Sequence, residues 1–111
     1  MNTTTTAEIG YYSALGGDPD FAEIVALFVD EMPGRMRDMQ AHFGCANWDE
    51  LARLAHQLKG AAGSYGFDQV TPFAAGLEKT VRNGEPAAAV RAALEELLEV
   101  CGRVRAGAPL R

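Results

Sequence analysis

Apolar side chains recur at steps of three and four along most of the chain. Phe21, Ile24, Val25, Leu27, Phe28 and Met32 follow this rhythm, and Met36, Met39 and Phe43 resume it beyond Pro33-Gly34. Such spacing marks one face of an α-helix. It predicts one long helix over about 19–43 kinked at Pro33, or two helices meeting there. Asp18-Pro19 reads as the start, a capping side chain followed by a residue whose φ is already helical. A second stripe, Leu51, Leu54, Ala55, Leu58, Ala62 and Tyr65, opens after Asn47 and Glu50, which have capping-box spacing, and stops at Gly66. A third carries Val70, Phe73, Ala74, Leu77 and Val81 over about 69–82, with Pro72 setting its regular part to begin near Thr71. Pro86 opens the last, with Val90, Leu94, Leu97, Leu98, Cys101 and Val104 on one side.

Short connections between long amphipathic helices make neighbours antiparallel. The expected fold is all-α, an antiparallel up-and-down four-helix bundle over 18–106. Residues 1–17 are expected to combine a flexible polar start, Met1–Thr6, with a short helical or irregular segment bearing Ile9, Tyr11, Tyr12 and Leu15. Residues 107–111 form a tail.

Composition supports this reading. Ala and Leu number 29 against nine Val and Ile, a balance that favours helix over sheet. A length of 111 residues suits one core. The formal net charge of −5 and the absence of a basic run argue against nucleic-acid binding. No apolar run approaches the roughly 18 residues of a membrane span, and Met1–Ile9 lacks a signal-peptide pattern, so a cytoplasmic location is expected. The chain is too short to hold a nucleotide-binding kinase fold beside anything else. Cys45 and Cys101 are far apart and are expected to be reduced; there is no Cys-x-x-Cys and no close His pair for zinc. A di-iron bundle is excluded because neither histidine has a Glu three residues before it. His42, at the end of the first long helix, is expected to face the last carbonyls and is given no chemistry, and Trp48 reads as bundle-end packing.

The second helix departs from this plain pattern. At about 100° per residue, its core stripe falls within about 60° of Leu51. Asp49, Ala52, His56, Lys59, Gly60 and Gly63 cluster between about 80° and 180°. Each interior glycine costs a helix about 1 kcal/mol against alanine, whereas Lys, Glu or Arg would favour it. Glycines beside an outward histidine therefore suggest clearance for something that approaches. Close helix packing through a small-residue seam is the competing explanation; it suits Gly63 and Ala62 but not a histidine and lysine on the same face.

His56-Gln57-Leu58-Lys59-Gly60-Ala61-Ala62-Gly63-Ser64-Tyr65-Gly66 resembles the signature of the histidine-containing phosphotransfer (HPt) domain of phosphorelay signalling. The match falls at His56, Leu58, Lys59, Gly60, Ala61, Ala62 and Gly66, with Tyr65 where Leu or another apolar residue is common. The resemblance implies a phosphocarrier without autokinase activity. It would take a phosphoryl group from a receiver-domain phospho-aspartate onto His56 and pass it to an aspartate on another receiver. Lys59, one turn on, would offset charge on the phosphoryl oxygens. The family places a Gln or Glu on the next helix against the far nitrogen of the histidine, and the usual offset lands on Glu78, which would fix the tautomer with Nε2 free. Arg82, four residues later, would pair with Glu78 or meet the phosphoryl group; a plain surface pair is the alternative.

Implied partners are the receiver domains of response regulators or of a hybrid sensor histidine kinase, docking on an apolar patch. Candidate docking residues are Ala52, Gly60 and Gly63 with Tyr11, Tyr12 and Leu15. No cofactor is expected in this chain, any Mg²⁺ belonging to the receiver, and a monomer is the expected state. Two other readings are an interaction-only bundle, which would not need the histidine, and a small-molecule enzyme, for which no second catalytic group stands out.

Overall fold

A computed structural model describes residues 9–108. The polar start Met1–Thr6 and the end of the tail, 109–111, lie outside the described residues. Four helices carry the fold: α1 (Ala22–Gly44), α2 (Trp48–Ser64), α3 (Thr71–Arg82) and α4 (Ala87–Cys101). Two two-residue strands, β1 (Tyr11–Tyr12) and β2 (Val104–Arg105), flank them in the chain. α1 packs against α2 and α4, and α3 closes the ring between α2 and α4, with α2 and α3 the most closely associated pair. This is the four-helix bundle expected from the apolar stripes.

The stripes meet in one core. Phe28 of α1 stacks on Phe67 at a centroid distance of 5.2 Å and lies 5.5 Å from Tyr65 at the end of α2. Around them Met32, Met39, Leu51, Leu58, Leu77 and Leu97 are fully buried. Burial pushes the Cys101 thiol up to about 12, so it serves as a small apolar filler; Cys45 is exposed and also free. Among the described residues no helix is long and apolar enough to cross a membrane.

Several local expectations are corrected. α1 runs through Pro33 as one helix, the first of the two expected alternatives, but it starts at Ala22 instead of near Pro19. The Asp18 carboxylate accepts from the Asp20 N–H at 2.9 Å, so it caps a preceding turn and is not available to the helix. Asn47 occupies the N-cap position of α2 without a side-chain cap bond. Its amide meets the His42 ring at 3.2 Å, and Glu50 pairs with Arg53, so the capping box does not form. His42 thus helps to close the α1–α2 turn, while Trp48 packs edge-on to Phe43 at 5.7 Å.

The N-terminal segment is a strand and turns, not a helix. β1 pairs in parallel with β2, Tyr11 opposite Val104 and Tyr12 opposite Arg105. The Tyr11 N–H donates to the Arg103 carbonyl at 2.7 Å, so the exit from α4 supplies partners that a short isolated helix would have to find within itself. The Ser13 hydroxyl donates to the Tyr65 carbonyl, and the Ala14 N–H to that of Gly66. Gly66 has φ +82°, and a Cβ there would lie 2.5 Å from Ser13 Oγ. Glycine is therefore required at this turn on two counts, backbone conformation and close approach.

Candidate functional site

The close pairing of α2 with α3 sets the Lys59 turn of one helix against the Glu78 turn of the other. His56 stands mid-way along α2 with its side chain 61% exposed, whereas the Glu78 side chain is 13% exposed. Glu78 Oε2 lies 3.1 Å from His56 Nδ1 and 2.9 Å from Arg82 Nε, and Oε1 lies 2.9 Å from Lys59 Nζ. One carboxylate is thus shared by three basic side chains. Hydrogen bonds from Lys59, then Arg82, outweigh partial desolvation and, with a smaller contribution from His56, lower the Glu78 carboxyl to about 2.

An ionised carboxylate only accepts hydrogen bonds, so the His56 nitrogen facing it must be the donor. Nδ1 therefore carries a proton. In the neutral ring the lone pair is left on Nε2, at the end of a side chain that stands in solvent. An imidazole, a carboxylate and two cations occupy one spot on the α2–α3 seam. Lys59 is 35% exposed and Arg82 more so, leaving both cations accessible from solvent.

The glycines next to this spot are not there for packing. A Cβ on Gly60 would meet no atom within 4 Å, and one on Gly63 would make only ordinary contact, 3.9 Å from Thr71 Oγ1. Gly76 on α3, which periodicity did not single out, is open in the same way. A small-residue seam therefore does not explain Gly60. Ala62, which that explanation covers together with Gly63, is fully buried, as a seam residue would be.

Ala52 is a correction. At 1% exposure it lies inside the bundle and offers a partner no surface. The wheel centred on Leu51 placed it at the edge of the outer face, but the tight approach of α3 extends the buried arc of α2 past that position. Tyr11, Tyr12 and Leu15 are half-buried at the end of the bundle. Tyr11 receives a hydrogen bond from Arg103 at 2.7 Å and lines a groove between α3 and α4, on the flank of α3 away from Glu78. It does not join His56.

Four residues placed in the apolar stripes by periodicity, Phe21, Ile24, Leu27 and Phe73, are exposed, and two of them share a flank of α1. Ile24 is exposed and Leu27 is 56% exposed. Val29, Pro33 and Met36 line a small cavity with Cys101 and Val104, so that flank of α1 faces α4. Ile24 and Leu27 lie roughly 150° around the helix from it, on the flank beside α2. The Phe28–Tyr65 contact sets this part of α1 next to the second half of α2, which bears Gly60 and Gly63. Their three-and-four spacing matches the buried stripe, which hid them; the available signal was their offset to one side of Phe28.

Among the described residues no group of three or more His, Cys, Asp and Glu side chains is placed to hold a metal ion. No curated protein and no solved structure matches the chain. The family model of the Hpt domain matches residues 23–107, from the first turn of α1 to just beyond β2. The match spans the whole bundle, and the family is one of histidine phosphotransfer in phosphorelays. The chain belongs to the Hpt domain family.

Proposed function

We propose that His56 is the phosphoryl carrier of a relay, loaded by the phospho-aspartate of one receiver domain and discharged to the aspartate of another. The observation that carries this reading is the Nδ1–Glu78 pairing, which leaves the Nε2 lone pair facing outward. In the loading step the Nε2 lone pair attacks phosphorus. The N–P bond forms as the bond from phosphorus to the aspartyl oxygen breaks, its electron pair returning to the aspartate as carboxylate. The ring then carries both the Nδ1 proton and the phosphoryl group, and Glu78 faces the positive charge that develops. Discharge is the same step reversed on a second receiver.

Lys59 and Arg82 are each held by Glu78 at 2.9 Å, within reach of oxygens arriving beside His56. They offset phosphoryl charge by re-aiming from the carboxylate. Gly60 and Gly63 clear the approach, and the exposed Ile24 and Leu27 supply apolar surface for the receiver. The receiver brings the phosphate and the Mg²⁺; this chain contributes positioning and acts as a carrier without autokinase activity. An interaction-only module would leave the shared carboxylate and the outward Nε2 without a use.

The test is incubation with a receiver pre-phosphorylated with labelled phosphate. Label should move to this chain as an acid-labile, base-stable adduct and be lost in His56→Gln. Label on folded His56→Gln, or none on the wild type from a panel of receivers, would overturn the assignment.

A further inference from the structure

The flank of α3 away from Glu78 carries an open groove of about 560 Å³ against α4. Its apolar floor includes Phe73 and Val100, with Tyr11 at one end. Phe73 belongs to the third apolar stripe by its spacing, yet 38% of it remains exposed. The rim is acidic, with Glu95, Glu96 and Glu99 lining the groove and Arg103 the cation among them.

Arg103 is already committed, 2.6 Å from Glu99 and 2.7 Å from the Tyr11 hydroxyl. Among the described residues Glu95 and Glu96 enter no ion pair. They stand four and three residues before Glu99, spacings at which like charges repel across one helical turn. A merely solvated face would gain from alternating signs. Uncompensated carboxylates around an exposed phenyl ring instead complement a partner that brings apolar surface and positive charge together.

We propose that the α3–α4 groove docks a cationic amphipathic segment of a partner protein. An apolar side chain of that segment covers Phe73 and Val100, and Lys or Arg side chains meet Glu95 and Glu96. The groove and His56 lie on opposite flanks of α3, so occupation of one leaves the other open. A protein anchored at the groove would hold this chain near a receiver without blocking Nε2. The docking does not depend on the phosphocarrier assignment.

The experiment titrates the isotope-labelled chain with a synthetic Leu/Lys peptide of amphipathic-helix pattern, and separately with its Leu/Glu counterpart, while amide resonances are followed. Saturable shifts centred on Phe73, Glu95, Glu96 and Tyr11, seen with the Leu/Lys peptide alone, are expected. Phe73→Ala should weaken binding about tenfold, as should the pair Glu95→Gln and Glu96→Gln. Glu96→Lys, a surface change that leaves the floor intact, guards against a folding artefact by abolishing the shifts while the thermal melt is unchanged. Equal binding of both peptides, shifts centred on His56 and Ile24, or unaltered affinity in the variants would overturn the proposal. So would the absence of saturable shifts.

Discussion

Replacing Gly60 with alanine should move stability and phosphotransfer in opposite directions. Gly60 lies within α2, has no positive φ, and a Cβ there would meet nothing within 4 Å. The substitution thus introduces no clash, and it removes backbone freedom from the unfolded chain. Alanine is favoured over glycine inside a helix by about 1 kcal/mol. In a domain of this size that raises the melting temperature by about 4 °C. On the proposed reading the same methyl group projects toward the docking receiver, one turn from His56. The rate of transfer from a phosphorylated receiver should fall, and fall further with Gly60→Leu. Thermal and urea unfolding give the first quantity, and a time course of labelled transfer gives the second. A loss of stability in Gly60→Ala would mean that an unseen packing constraint holds the glycine. Wild-type transfer rates in both variants would remove the clearance argument.

Other outcomes follow from the same geometry. The Glu78 carboxyl is lowered from 4.5 to about 2, so its contribution to stability is fully present above about pH 4.5 and is lost as the pH falls toward 2. Glu78→Gln should flatten that part of the acid limb in urea titrations and reduce the Nδ1–H tautomer of His56 seen by imidazole nitrogen spectroscopy; an unchanged limb would contradict the sharing of Glu78 by three basic side chains. Lys59→Ala should slow transfer in a domain whose circular dichroism and melt are preserved, and an equal rate would take Lys59 out of the mechanism. Leu77→Ala, at a fully buried position, should cost about 2–5 kcal/mol in urea unfolding, whereas Leu27→Ala should stay within about 0.5 kcal/mol and weaken receiver binding. Similar stability losses at the two positions would refute the assignment of Leu27 to the surface.

The core of the candidate site is legible in the sequence for a simple reason. His56, Lys59, Gly60 and Gly63 lie on one helix, and a helix converts sequence spacing into spatial neighbourhood with little help from the rest of the fold. Glu78 and Arg82 lie on another helix. Their spacing relates them to each other, and the expectation that Glu78 reaches His56 came from the resemblance, not from periodicity. Missing from both was Lys59 as a further partner of that carboxylate. The sequence pairs Arg82 with Glu78 and gives Lys59 only the phosphoryl oxygens, yet in the structure Lys59 binds Oε1 and Arg82 binds Oε2 of the same carboxylate.

Apolar periodicity by itself determined the number of helices, their approximate limits and most of the core, because burying one face of each helix is the dominant favourable term in folding. It also placed the histidine outside that core. Tertiary structure alone decided which apolar residues at the edge of a stripe are covered. Ala52 is fully buried although it sits at the edge of the outer arc, while Ile24, Leu27 and Phe73 remain partly open although they keep the spacing of the buried stripes. Tertiary structure also turned the tyrosine segment into a strand, since the backbone groups that pair with it lie more than ninety residues away in the chain. Periodicity reports the environment a side chain would favour; whether another element arrives to provide it is a property of the assembled chain.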